Sequence, residues 1–428
     1  MIAQRILEVL KAVIGDTDGI ALHEPYFGGN EWAYTRECLD TGWVSLGKFV
    51  DKFETMLVEF TGAKRAVAVV NGTAALHLSL LLAGVSPGDE VIVPALTFVG
   101  TANAVSHCGA VPHFVDSEER TLGLDPYKLA DYLRQITRRS HGSCLNKATG
   151  RPIRAVVPMH TFGHPVDLEP LVEVCRRFGL ELVEDAAESL GSYYKGRHVG
   201  NWGKLAILSF NGNKTITTGG GGAILTNDEE LGKLAKHISS TAKVSHQWQF
   251  FHDRVGYNYR LPNINAALGC AQLEQLPVFL EKKRILAQRY RQSFSGLEGV
   301  QFFTEPEFAR SNYWLNVLLV GANQAKDSGA GSLPRRDLVE IRQIRDAVLD
   351  LTNANGIMTR PVWTLLPNLP MYKDFPKMEL SVAEEIEHRL INIPSSPVLA
   401  NLPGPSEKTA LTKATPRKHA PVFIMVSE

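Results

Sequence analysis

From Ala66 onward, short apolar runs alternate with amphipathic stretches, and the two periodicities predict strands and helices in turn. Ala66–Val70 reads as a strand ending at Asn71-Gly72-Thr73, with Ala74–Leu82 as the helix behind it. Val91–Pro94 is the next strand, followed by a helix around Thr101–His107 and a strand at Val111–Val115. Pro126–Ile136 and Leu168–Phe178 carry helical spacing; Ala155–Pro158, Glu181–Glu184, Leu205–Phe210 and Ala223–Thr226 read as extended. Such alternation specifies an α/β layer fold with a mostly parallel sheet and right-handed crossovers. In sheets of this kind functional groups collect at the C-terminal ends of the strands.

The pattern changes after Leu276, where a long charged helix, Phe279–Phe294, leads into a less regular region expected to form a smaller α+β domain. At the other end, Ile2, Ile6, Leu10 and Val13 space out one face of an amphipathic helix. Arg5, Glu8 and Lys11 interrupt any signal-peptide run there. The expected organisation is an N-terminal helix and extension over 1–24, a large domain over 25–276, and a linking helix with a small domain over 277–428. From about residue 401 the chain turns rich in Pro, Lys and Thr and reads as a loosely attached tail. Arg138–Arg154, polar and basic, reads as an exposed insertion loop.

Composition narrows the classes. The 428 residues are 44% hydrophobic and 21% charged, an ordinary globular balance with ample material for a core. Lys+Arg and Asp+Glu both number 45, so no global basic field holds nucleic acid or an anionic membrane. No stretch approaches the ~20 uncharged apolar residues of a membrane span. Cys38, Cys108, Cys144, Cys175 and Cys270 lie far apart, which fits buried reduced thiols and a cytoplasmic protein, with no disulfide framework and no metal site. His160 and His164 have metal-like spacing, but no further Cys or His cluster supports a ligand set.

Three strand ends carry candidate chemistry. At Asn71-Gly72-Thr73 a strand runs out, Gly72 admits close backbone approach, and Thr73 is placed to cap a helix whose exposed amides suit a phosphate. At Val183-Glu184-Asp185-Ala186-Ala187-Glu188 an acidic pair ends an apolar strand, and a carboxylate there suits a protonated ring nitrogen. At Ser209-Phe210-Asn211-Gly212-Asn213-Lys214, followed by the glycine run Gly219–Gly222, a loop lysine gains room to reach a substrate. Taken singly, the first two are as well read as capping turns and the lysine as a surface charge. In this order they follow the logic of a pyridoxal-phosphate (PLP) site: an anion cradle, a carboxylate for the pyridinium nitrogen and a Schiff-base lysine. Phe98, ending the adjacent strand, is placed to stack on the ring.

These segments, with Pro87-Gly88-Asp89-Glu90-Val91 and Gly256-Tyr257-Asn258-Tyr259-Arg260, resemble the DegT/DnrJ/EryC1/StrS family of PLP-dependent sugar aminotransferases over roughly residues 25–400. The resemblance implies the aspartate-aminotransferase fold, PLP fold type I. It implies Lys214 as the Schiff-base lysine and proton shuttle, Asp185 on the pyridinium nitrogen and Phe98 on the ring. Gly72, Thr73 and Ser209 would hold the phosphate, and Asn258 would reach it from the neighbouring subunit of a homodimer. Glu188 replaces the Gln or His common at its position, so a raised pKa is one resolution of its place beside the cofactor's ring oxygen. Leu22-His23-Glu24-Pro25, Ser45-Leu46-Gly47-Lys48-Phe49-Val50 and Phe210-Asn211-Gly212-Asn213-Lys214 are similar to the branch that makes UDP-4-amino-4,6-dideoxy-N-acetylhexosamines, precursors of bacillosamine and legionaminic-acid-type sugars. The implied reaction moves an amino group from L-glutamate to a nucleotide-linked 4-keto sugar. Lys243, His252, Arg254 and Arg260 are candidate partners for the sugar's diphosphate. A 3-keto aminotransferase on dTDP-sugars, a PLP enzyme of another reaction type, and a non-catalytic PLP-binding regulator are the alternatives on the same fold.

Overall fold

The apolar runs become strands covered on both faces. The computed structural model describes residues 2–15, 19–140, 142–321 and 335–401. Its large sheet contains, in chain order, β1 (Arg65–Val69), β2 (Glu90–Pro94), β3 (Val111–Val115), β4 (Ile153–Val156), β5 (Glu181–Asp185), β6 (Leu205–Ser209) and β7 (Gly222–Thr226). Across the sheet the order is β1-β7-β6-β5-β4-β2-β3. Only β7 runs against its neighbours; every other pairing is parallel.

Alternation along the strands builds two cores. Val67 and Val69 of β1 join one apolar cluster, and Ala66 and Ala68 join the other. The first is closed by helices α4 (Gly72–Leu82), α5 (Val99–His107) and α8 (Glu229–Ser239). The second is closed by α3 (Lys48–Thr61), α6 (Pro126–Ile136), α7 (Leu168–Phe178) and the first half of α9 (Asn263–Phe294). Burial on both sides is why these strands read as continuous apolar runs.

A second, antiparallel sheet is formed by β8 (Val300–Phe302), β9 (Asn316–Val320), β10 (Arg360–Pro361) and β11 (Leu390–Ile393), in the order β8-β9-β11-β10. Its core takes in Leu286, Tyr290 and Phe294 of α9, Ile341 and Val348 of α10 (Arg335–Ala354), and the face Ile6, Leu7, Leu10, Val13, Ile14 of α1 (Ile2–Ile14). The N-terminal helix is therefore packed into the C-terminal unit. The boundary expected after Leu276 falls inside α9, a continuous 32-residue helix with Pro277 in its interior. The expected loop at 138–154 instead contains a hairpin, Thr137–Ser140 paired with Ser143–Asn146, which buries Cys144. All five cysteines are buried and unbridged. The expected tail beyond Asn401 lies outside the described residues.

Candidate active site

The β1–α4 turn has the open helix N-terminus that an anion cradle requires. Asn71, not the expected Thr73, is the cap: its backbone is extended and its Oδ1 accepts the amide of Ala74 at 2.7 Å. The amides of Gly72 and Thr73, the first two helical residues, precede the first intrahelical bonds and leave the helix end with its positive dipole. Ser209, ending β6, stands over Gly72, where an added Cβ would lie 3.1 Å from the Ser209 Cβ. Gly222 packs so tightly on this turn that a Cβ there would come within 2.5 Å of the Asn71 carbonyl carbon. At least this last glycine of the 219–222 run serves close packing, where a flexible loop had been expected.

The two acids ending β5 separate, because neighbouring strand residues face opposite ways. Glu184 is fully enclosed, accepting amides from Gly200, Trp202 and Gly203 at 2.7–2.8 Å and bonding His160 Nε2 at 3.2 Å. The Val166 amide donates to His160 Nδ1, so Nε2 carries the ring proton toward Glu184. His164, the other histidine of the i,i+4 pair, is packed edge-on against Phe303 and Tyr313, and burial lowers its pKa to about 3. Among the described residues no group of three or more His, Cys, Asp or Glu could hold a metal ion.

Asp185 faces the cradle side of the chemistry. Thr101 Oγ1 donates to its Oδ2 at 2.8 Å, the Ala187 amide to its Oδ1 at 3.2 Å, and Thr97 backs Thr101 at 2.9 Å. Burial pushes the carboxyl pKa up, against these hydrogen bonds and the more distant Lys214 charge. No cation lies within ion-pair distance of Asp185 among the described residues. A protonated ring nitrogen would supply the positive charge this buried carboxylate lacks, so the donor set fits PLP.

Lys214 sits in the loop between β6 and β7. Its Nζ donates to Glu188 Oε1 at 3.2 Å and lies 3.8 Å from the centre of the Trp314 ring. Trp314 Nε1 in turn donates to the Asn213 carbonyl at 2.8 Å, tying the lysine's loop to β9's approach segment. Glu188 Oε2 accepts the Phe162 amide at 2.9 Å, and Phe162 holds a left-handed backbone at φ 55° to present it. Burial raises the Glu188 pKa to about 7, opposed by the Lys214 charge. The Phe162 ring stacks on Trp363 at 4.9 Å, and Trp363 lies 6.4 Å from Phe98. Phe98 is half-exposed, and its ring and Thr73 Oγ1 both come to about 3.1 Å of the point where a Gly100 Cβ would sit.

Two groupings thus emerge, Gly72 with Thr73, Ser209 and Phe98 at the cradle, and Lys214 with Glu188 at the loop; Asp185 ends the strand β5, parallel neighbour of the β6 that carries Ser209. Asn258 stands apart. It is exposed on the segment whose Tyr259 carbonyl accepts the Val70 amide at 2.9 Å, and it makes no hydrogen bond to the other site residues among those described. Lys243, His252, Arg254 and Arg260 are also exposed. Thr101, Phe162 and Trp314 were not read from the sequence. Thr101 gives no signal beyond its i,i+4 spacing from Thr97, and Phe162 and Trp314 reach the site only through tertiary packing.

The DegT/DnrJ/EryC1/StrS aminotransferase family model matches residues 25–402. The chain belongs to this family. It is 37% identical over 383 residues to the GDP-perosamine synthase of Escherichia coli O157:H7, covering 89% of this chain and 94% of that protein. The aminotransferase TlmJ of Streptoalloteichus hindustanus superposes with a TM-score of 0.76 at 28% identity, over 88% of this chain and 93% of its own. Spr1654 of Streptococcus pneumoniae, solved in its PLP form, shares the fold with a TM-score of 0.74 at 24% identity, over 88% of this chain and 93% of its own. The chain is a PLP-dependent sugar aminotransferase of the mostly parallel α/β aminotransferase fold. Among the described residues no helix is long and apolar enough to cross a membrane.

Proposed function

We propose that the chain transfers an amino group from L-glutamate to the 4-keto carbon of a nucleotide-diphosphate-linked 6-deoxy sugar. The observation that carries this reading is the Lys214 amine, held between Glu188 and Trp314 at the C-terminal ends of the strands, where the buried Asp185 has no cation within ion-pair distance among the described residues. When bound, PLP supplies the electron sink for the charge left by proton removal. Asp185 would keep the ring nitrogen protonated, Phe98 would pack against the ring, and the Gly72 and Thr73 amides with the Ser209 hydroxyl would hold the phosphate. Lys214, the residue that would carry the cofactor at rest, takes the proton from the donor α-carbon and returns one to the sugar carbon. Glutamate and sugar use this one site in turn, which predicts ping-pong kinetics.

The relative named GDP-perosamine synthase, matched along 94% of its length, favours a GDP-linked substrate over the UDP-N-acetylhexosamine branch suggested by the residues around His23 and Gly47. Individually exposed large apolar side chains are consistent with a homodimer with shared sites. Trp32 is 86% exposed, Phe250 81% and Val255 84%, with Trp43, Trp248 and Phe251 also open, and the Gly256–Arg260 segment bearing Asn258 follows directly. The test is product analysis after incubation with L-glutamate and either GDP- or UDP-linked 4-keto-6-deoxy sugars. An amino product from the GDP sugar alone is the expected result; amination of the UDP sugar alone restores the UDP branch, and amination of neither overturns the proposal.

A further inference from the structure

Two groups close on the Lys214 amine in a way that holding the cofactor does not require. Glu188, whose side chain is only 2% exposed, puts Oε1 3.2 Å from Nζ. Its carboxyl cannot swing away, because the Phe162 amide holds Oε2 and the Asn312 side-chain amide holds the Glu188 backbone carbonyl at 2.9 Å. On the other side the Trp314 ring lies 3.8 Å from the amine. That ring is fixed at three points: its Nε1 on Asn213, its amide on Asn312 Oδ1 at 2.8 Å, and its carbonyl under the buried Lys283 amine at 3.2 Å. An amide side chain at 188 would keep one acceptor oxygen, enough for the Phe162 amide; a carboxylate accepts from both Phe162 and Lys214 and can also take a proton.

The chemistry of amino transfer creates that need. An amino donor arrives at neutral pH as an ammonium and must lose a proton before its nitrogen can replace that of Lys214. The displaced lysine is left carrying that proton, and as an ammonium it cannot accept the one on the donor α-carbon. We propose that Glu188 is the acceptor that returns displaced Lys214 to its neutral amine, with the face of Trp314 keeping the amine within reach. An N–H bond of Lys214 breaks and an O–H bond forms on Glu188, turning ammonium and carboxylate into amine and carboxylic acid. The proton leaves later with the amino product, which departs as an ammonium.

Burial favours this direction, since a water-poor corner penalises the charged pair relative to the neutral one. A carboxyl held at about 7 is also matched to a proton acceptor working near neutrality. The charged groups facing Glu188 are Lys214, which lowers its pKa, and Asp185, which raises it. Lys214 is faced in addition by His23, a buried ring that itself feels Lys283.

This inference rests on the aminotransferase reading, and the experiment separates the two. PLP-loaded enzyme is mixed with L-glutamate while the cofactor's visible band and the infrared difference spectrum are followed together. The expected result is conversion of the visible band with appearance of a carboxylic-acid C=O stretch, absent in Glu188→Gln. That variant is expected to load PLP normally but to convert at least ~100-fold more slowly at neutral pH, recovering as pH rises toward the lysine range. Conversion in the native enzyme without the carboxylic-acid stretch, the same stretch in Glu188→Gln, or an unchanged pH profile in that variant would each overturn the role of Glu188 alone. Should Glu188→Gln fail to load, the native infrared result still decides. A native visible band indifferent to glutamate overturns the donor reading, and this inference with it.

Discussion

Replacing Asp185 by Asn keeps the shape of the strand end and removes only its charge. In the structure the carboxylate is 5% exposed and is met by two neutral donors, Thr101 at 2.8 Å and the Ala187 amide at 3.2 Å, with no cation of the chain within ion-pair distance among the described residues. The Thr101 hydroxyl can turn to suit an amide, so the substitution leaves the local hydrogen bonding largely intact. What it removes is the partner of a buried ring cation, a loss of ~3–5 kcal/mol, or roughly two to four orders of magnitude in PLP affinity. Without PLP the sign reverses. Burial holds the folded carboxyl above its ordinary value of 3.8, so the folded chain binds more protons than the unfolded one as pH climbs past that value. Stability is therefore lost as pH rises from about 3.8 through the raised folded value, and it stays lost at neutral pH. Asn carries no such loss, so stripped Asp185→Asn should melt above the stripped native protein at pH 7 and gain far less from added PLP. Equilibrium titration of stripped protein with PLP, followed by melting with and without the cofactor, measures both effects. A variant that binds PLP within about fivefold of the native chain would refute the reasoning.

Lys214→Ala should bind PLP without the absorbance band of a lysine-bound cofactor and release it on dialysis; a retained band would move that role to another lysine. Lys283 is fully buried with its amine on the Trp314 and Ser395 carbonyls, and burial drives its pKa well below 10.5. The unfolded chain then binds the extra proton, so native stability should rise with pH up to about 10.5, and Lys283→Met should flatten that rise in melts compared between neutral pH and about pH 9. Tyr290→Phe, which strands the Pro394 carbonyl now bonded at 3.0 Å, should cost ~1–2 kcal/mol without altering the cofactor spectrum. Asn258→Ala should speed PLP loss on dilution if sites are shared between subunits, and unchanged retention would remove Asn258 from the cradle.

The large sheet was legible because each of its strands is a short apolar run closed by a turn or a helix, and burial on both faces keeps that signal continuous through β2, β5 and β6. The start of α9 was hidden. Asn263–Leu276 is so thoroughly packed against α2 (Glu31–Thr41) and α3 that no polar face marks it as a helix, and Pro277 reads locally as a break. Cap chemistry at the cradle was misassigned by two residues, since Asn71, Thr73 and a following helix fit either register until backbone angles are known. Lys214, Asp185 and Glu188 stood out as candidates because each lies at or shortly after a recognisable strand end. Trp314 and Thr101 did not, because the first is a hundred residues from Lys214 and the second bonds Asp185 from a different layer; spacing carries no trace of such contacts. The destination of α1 was equally invisible: its apolar face specified a helix but not which core it would complete.

The measurement closest to the central claim is the absorbance spectrum of purified, PLP-loaded protein before and after L-glutamate. The account predicts a lysine-bound band that glutamate converts to the pyridoxamine form and that the keto sugar then restores. A protein that never shows the lysine-bound band would contradict the assignment of Lys214 and the site built around it.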